Sequence, residues 1–137
     1  MVEVAVCSYL LANAGVLAIV GTRGYVQNLP QGADFPAFRV QLIDDLESAH
    51  LRGGSALRPA RVQVDAIGEE DDGVDAYGQA SALAAAIAAA LMNQPPFVVD
   101  GLELKVVERI SNPPVFDPTE LAQFKIGQDF IIWARVL

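Results

Sequence analysis

Two segments in the first half of the chain alternate between apolar and polar residues, and this alternation limits the fold more than any other feature. In AFRVQL (37–42) and again in ARVQVDAI (60–67), apolar side chains fall on every second position. Such alternation is typical of strands with one buried face. The first strand continues as AFRVQLIDDLE to 47, and only the segment 48–59, which contains Gly-Gly-Ser, separates it from the second. The two strands are therefore expected to form a long antiparallel hairpin with a loop at its tip. The polar side chains predicted on the uncovered face of the second strand are Arg61, Gln63 and Asp65.

A charge-free, alanine-rich stretch supplies a helix to cover the apolar face of that hairpin. In residues 80–96, ASALAAAIAAALMNQPP, the bulky residues Leu83, Ile87 and Leu91 recur every four positions, as on one side of a helix. The wholly apolar run 82–92 is well short of the roughly 20 residues that a membrane span needs. We therefore predict a core helix over about 74–93, with acidic residues at its positive N-terminus.

The other sides of this predicted helix lack the lysines and glutamates that a solvated helix normally carries. Their residues are Ala82, Ala85, Ala86 and Ala89. We predict that this second face is covered, either by the first helix of the chain or by a neighbouring subunit.

The remaining patterns complete an α+β domain. Residues 2–13 have helical spacing that stops near Gly15, Val16–Val20 is expected to add a turn, and 25–29 and 101–110 are expected to be strands, with Glu103, Lys105 and Arg109 pointing outward. The last strand, 129–137, is apolar on both faces, and so it lies in the middle of the sheet or is covered by another chain. We predict one domain, 1–137, with an antiparallel or mixed four- to five-stranded sheet and two main helices on one face.

Composition excludes several functions. The net charge of −8, from 17 acidic and nine basic residues, disfavours general nucleic-acid binding. The single cysteine, Cys7, excludes an internal disulfide and a thiolate zinc cluster. The N-terminus lacks the basic region of a signal peptide, since Glu3 is its only early charge.

No motif for catalysis or ligand binding stands out. His50, the only histidine, lies beside a glycine-rich loop without a GxSxG pattern nearby. Cys7 lies in an apolar helical pattern, as expected for a buried thiol. The acidic run 69–75 lacks the spacing of a calcium loop. We therefore predict no catalytic residue, no cofactor and no metal.

Three segments, in this order, resemble the tail-completion or tail-terminator proteins at the head–tail junction of long-tailed bacteriophages. LAIVGTRGYVQNLPQGADFPAFRVQL is similar to the family's opening, with a helix, a short strand and an aromatic–proline pair before the next strand. RVQVDAIGEEDDGVDAYGQASALAAAIAAAL is similar to its middle strand, acidic turn and alanine-rich helix. FKIGQDFIIWAR is similar to its closing strand.

This resemblance implies a structural virion protein, assembled in the host cytoplasm, that forms a ring, usually hexameric, on the finished tail tube. The implied partners are further copies of the chain, the tail tube protein and a head–tail connector protein, with DNA passing through the lumen without specific binding and no membrane involved. Two alternatives remain open: a neck adaptor or tube component of a phage-like particle, and a small ligand-binding enzyme.

A ring needs a repeated head-to-tail contact that closes. The chain offers three places for it: the loop 48–59, the alanine helix and the two-faced last strand. The residues predicted to contribute are His50, Leu51, Arg52, Arg58, Ala85, Ala89, Ile131 and Trp133.

Overall fold

The computed structural model describes residues 2–45, 57–70, 75–117 and 123–137. Its elements are α1 (Val2–Ala12), α2 (Ala14–Val20), β1 (Gly24–Val26), β2 (Ala37–Asp45), β3 (Leu57–Glu69), α3 (Ala76–Leu91), β4 (Phe97–Val99), β5 (Leu102–Ser111), β6 (Val115–Asp117) and β7 (Gln123–Val136). The strands form one mixed sheet in the order β1-β2-β3-β7-β5-β4, and β6 also pairs with β7. This confirms the α+β class and the mixed sheet, which has two short strands, β4 and β6, more than the five segments that the sequence predicts.

The predicted hairpin is present. Strand β2 pairs with β3 in antiparallel register from Ala37 opposite Ile67 to Asp45 opposite Ala60, with a bulge between Leu42 and Asp44. The short β1 adds to β2 in parallel, after a turn that contains a cis peptide bond between Phe35 and Pro36.

Strand β7 lies in the middle of the sheet, as one of the two predictions for its apolar faces requires. It pairs along its whole length with β3, and its other edge pairs with β5 and then with β6. Strands β5 and β6 are interrupted at 112–114, where the Asn112 amide still donates to the Gly127 carbonyl at 3.0 Å. The two therefore follow the same edge of β7 one after the other.

The first helical segment is broken at Asn13. The Asn13 side-chain oxygen accepts hydrogen bonds from the amides of Gly15 and Val16, at 3.0 and 3.2 Å, and so it caps the start of α2. The axes of α1 and α2 differ by 85°. The predicted helical segment 2–13 is thus one residue too long, since α1 ends at Ala12, and Gly15 is not the stop, because it lies in the first turn of a separate helix.

The sheet curls around α1. This helix contacts β1 and β2 at one end of the sheet and β4 at the other. The ring of Tyr9 stacks on that of Phe97 in β4, with 3.9 Å between centroids, and its hydroxyl donates to the Ala90 carbonyl of α3 at 3.1 Å. Helix α1 thus ties a strand at the edge of the sheet to the end of α3.

Helix α3 packs on β3 and β7 and closes the core. Asp75 caps its N-terminus by accepting from the Tyr77 amide at 3.1 Å, as the acidic turn predicts. Gly68 in β3 allows the first turn to approach closely, because a Cβ at that position would overlap the Ala76 carbonyl oxygen. The largest fully buried apolar side chains on this side of the sheet are Phe38, Phe130, Leu10, Leu83, Ile87, Leu91, Leu104 and Ile132.

No single helix within the described ranges is both long and apolar enough to cross a membrane. Only α1 and α2 together meet that test of length and composition, and they are bent by 85°.

Candidate assembly interface

The face of the sheet opposite the helices, called the open face below, carries a buried carboxylate. Asp65 in β3 is fully buried. The Arg39 guanidinium of β2 donates to Asp65 Oδ2 at 2.7 Å, and Gln41 Nε2 donates to the same oxygen at 3.0 Å. Gln63 Nε2 donates to Oδ1 at 2.7 Å. Asp65 lies on the predicted uncovered face, but its neighbours, rather than water, satisfy its charge.

A second buried carboxylate, Asp129 in β7, lies diagonally across the sheet from the first. Arg61 Nη2 donates to Asp129 Oδ2 at 2.6 Å, and Asn112 Nδ2 donates to Oδ1 at 3.0 Å. Gly127 makes room between the two groups, since a Cβ there would lie 2.9 Å from Asp65 Oδ1 and 3.1 Å from Gln63 Nε2. The network therefore joins β2, β3 and β7 and continues to the residue that follows β5.

The C-terminal half of β7 carries the predicted interface residues Ile131 and Trp133 on this open face. Both are half-buried, and Trp133 is flanked in register by Pro59 of β3 and Lys105 of β5. One step further along, Arg135 donates to Glu103 at 2.6 Å in an exposed ion pair. On the open face, Ile131 and Trp133 are thus partly exposed apolar side chains with charged residues beside them.

The second face of α3 is open in the isolated chain. Ala82, Ala85 and Ala89 are exposed, and only Ala86 packs partly against the core. The first helix therefore does not cover these alanines, which removes one of the two covers predicted for them. Cover by a neighbouring subunit stays a prediction.

A groove runs between this side of α3 and the outer part of the sheet. We call it the alanine groove and define it by Ala85, Ala88 and Ala89 on α3, by Met92 directly after that helix, and by Arg109 and Ser111 on β5. It consists of two cavities of about 250 and 610 Å³, both bordered by Arg109.

A bulge in β5 places Arg109 in this groove. Strict alternation would put it on the same face as Glu103 and Lys105, as the sequence predicts. The register shifts between Val106 and Glu108, so that Arg109 pairs with the core residue Phe130 and turns to the helix side. The prediction that Arg109 points outward with Glu103 and Lys105 is therefore wrong: the side chain is exposed, but on the helix side of the sheet. The bulge residue, Val107, is 48% exposed.

Hydrogen bonds hold the Arg109 guanidinium against the groove wall. Its Nη1 donates to Gln128 Oε1 at 2.7 Å, and the buried Gln128 in turn donates from Nε2 to the Ala84 carbonyl at 2.9 Å. The guanidinium is therefore oriented by a neutral amide and not by a carboxylate. Sequence pattern missed this residue because a bulge has no signature in the alternation of β5.

An aromatic cluster lies near the N-terminal end of α3. The ring of Phe124 in β7 meets Tyr77 edge-on at 5.3 Å and Phe116 of β6 at 4.8 Å between centroids. Tyr77 and Phe116 are nearly half exposed. Aromatic residues exposed together in this way are enriched in protein interfaces.

The predicted interface residues do not form one patch. Ala85 and Ala89 line the alanine groove on the helix side, whereas Ile131 and Trp133 lie on the open face of the sheet. Arg58 belongs to β3 and pairs with Ala134, but its side chain is outside the described part of the structure. His50, Leu51 and Arg52 lie in 46–56, also outside the described residues.

The described residues offer little for catalysis. Cys7 is buried in α1, and burial raises the pKa of its thiol, which disfavours the reactive thiolate. Within 2–45, 57–70, 75–117 and 123–137, no group of three or more His, Cys, Asp or Glu side chains is placed to hold a metal ion. The surfaces that carry distinctive chemistry are thus the open face, the alanine groove and the aromatic cluster.

The chain is similar to known proteins both in sequence and in fold. The family described as tail completion protein gp17 matches residues 4–134. A chain from a structure titled "Virion of native gene transfer agent (GTA) particle" has the same fold, with a TM-score of 0.60, 20% sequence identity, and coverage of 98% of this chain and 92% of that one. No curated protein matches. The chain therefore belongs to the tail completion protein gp17 family and is a structural component of the phage virion tail.

Proposed function

We propose that copies of this chain close into a ring, hexameric as in the proteins it resembles, that caps the tail tube and provides the surface to which the head is joined. The observation that carries this proposal is the family match over 4–134, which includes all the helices and strands of the described structure except the first two residues of α1 and the last two of β7. The similar fold of a protein taken from a gene transfer agent virion supports a place in a phage-like particle.

The surfaces of the chain suit a head-to-tail contact. Such a contact joins two different patches, one from each neighbour. The alanine groove and the open face are chemically different and lie on opposite sides of the sheet. The partners proposed beyond the ring are the tail tube protein on one side and a head–tail connector protein on the other.

Passage of DNA through such a ring is compatible with the charge of the chain. Six copies, each with a net charge of −8, would repel the phosphate backbone wherever carboxylates face the lumen. On the open face, Arg39 is paired with Asp65 and Arg61 with Asp129. These arginines are therefore not free to bind phosphates. The proposed role needs no catalysis and no cofactor.

The experiment is to polymerise the tail tube protein in the presence of the purified chain. We expect gold-labelled protein at one end of each tube and an arrest of further growth. Label along the whole tube would instead indicate a tube component, and label on head connectors alone would indicate a neck adaptor. Either result would contradict capping.

A further inference from the structure

We infer that the alanine groove receives an extended, carboxylate-bearing segment of a second copy of this chain, and so forms one half of the head-to-tail contact. This inference rests on the proposed ring. It assigns a particular surface to the contact, which neither the family match nor the fold does.

The outer edge of β5 is a free strand edge beside the groove. Strand β4 pairs with β5 only from Leu102 to Leu104. Beyond that point, from 105 to 111, no described strand pairs with the outer edge of β5, while the inner edge is paired with β7. Unpaired backbone groups on such an edge can accept an added strand, and side chains of the added strand then enter neighbouring pockets.

The size and lining of the groove suit a short extended segment. From Ser81 to its end at Leu91, α3 extends about 15 Å at 1.5 Å per residue, which matches about five residues of extended chain. Alanines along this length leave the helix wall of the groove shallow and apolar, so that backbone can approach closely. Replacing them with longer side chains would fill the space.

The charge of the groove favours an acidic occupant. The residues that line the two cavities include Arg109 and no carboxylate, although acidic residues outnumber basic ones by 17 to nine in the chain. On the open face, by contrast, Arg39 and Arg61 each face a carboxylate of the same chain. Among the described residues Arg109 bonds to the neutral Gln128 and to no carboxylate, and every further copy of this acidic chain brings carboxylates that could pair with it.

A head-to-tail contact needs two different surfaces. A groove on one side of the sheet cannot pair with itself in a head-to-tail contact, and so a different surface of the neighbour must enter it. This is the kind of contact that closes into a ring instead of stopping at a two-fold dimer.

The test compares two pairs of matched variants. Ala89→Glu places a charge in the groove, whereas Ala18→Glu makes the same change at an exposed alanine of α2 that does not line it. Arg109→Glu reverses the groove charge, whereas Arg109→Lys keeps that charge at the same position. Assembly is measured by native mass spectrometry and light scattering over a concentration series, and folding by circular dichroism.

We expect the wild type and both controls to assemble, and both groove variants to fold normally but to need at least about tenfold higher concentration to assemble. Groove variants that assemble like the wild type would overturn the groove contact and leave the ring standing. Groove variants that form rings but no longer bind tail tubes would show that a different protein occupies the groove, which also overturns it. A wild type that is strictly monomeric at high concentration would overturn both the groove contact and the ring.

Discussion

The two faces of the sheet are buried in different ways. On the helix side, Phe130 and Ile132 of β7 lie in an apolar core that α3 covers. On the open face, no described helix covers the sheet, and Asp65 is nonetheless removed from water by side chains of β2 and β3. The first face is stable because apolar area is buried, and the second because each buried charge is paired. Substitutions should therefore fail for different reasons on the two faces.

The largest effect is expected on the helix side. Phe130→Ala removes a fully buried ring from the central strand and leaves a cavity, and it should lower the free energy of unfolding by about 3–5 kcal/mol. Urea denaturation followed by circular dichroism measures this. A loss below about 1 kcal/mol would mean that this face is not the packed core of the domain.

The next effect tests the open face. Asp65→Ala leaves Arg39 without its carboxylate inside the network, and we expect a loss of about 3 kcal/mol, since the Asp65 side chain is fully buried while Arg39 keeps some contact with water. The same urea titration applies. If the loss matched that of an exposed ion pair, the carboxylate would be solvated in solution and the proposed difference between the faces would disappear.

A smaller effect links Gly127 to this network. Gly127→Ala pushes a Cβ against Asp65 Oδ1, and it should cost about 1–3 kcal/mol. In an Asp65→Ala background the same change should cost less than about 1 kcal/mol, because the crowded oxygen is gone. Equal costs in both backgrounds would show that Gly127 is required for another reason.

The smallest effect is expected at the exposed pair of Arg135 and Glu103. Glu103→Ala should change the free energy of unfolding by less than about 1 kcal/mol, since the Glu103 side chain is 33% exposed and that of Arg135 is 50% exposed. High salt should reduce even this difference. A cost as large as that of Asp65→Ala would contradict the distinction between the buried network and this exposed ion pair.

Sequence patterns predicted the long elements well. Alternation over the hairpin and four-residue spacing in the alanine helix are strong local signals, and the structure has β2, β3 and α3 where they were expected, except that β3 already begins at Leu57, inside the predicted loop 48–59. The two apolar faces of the last strand indicated a central strand, and β7 is central. Its start at Gln123 was missed, because 123–128 mixes polar residues and glycine with apolar ones.

The errors came from short elements and from contacts between distant segments. β4 and β6 have three residues each, too few for a periodic pattern. The break between α1 and α2 had a signal in Asn13, a good N-cap residue, but Gly15 two positions later was taken as the stop instead.

The site was the least predictable part. The burial of Asp65 depends on Arg39 from another strand and on space left by Gly127, and neither is local to the 60–67 pattern. Arg109 reaches the alanine groove only because β5 has a bulge. Such features follow from the pairing of strands and not from the order of residues within one.

The central claim is that this chain closes into a ring. Electron microscopy of the purified wild-type protein tests it most directly, with class averages of single particles. The account predicts closed rings with a central lumen, six-fold as the resemblance implies. A population of single small globular particles at every concentration, without rings, would contradict it.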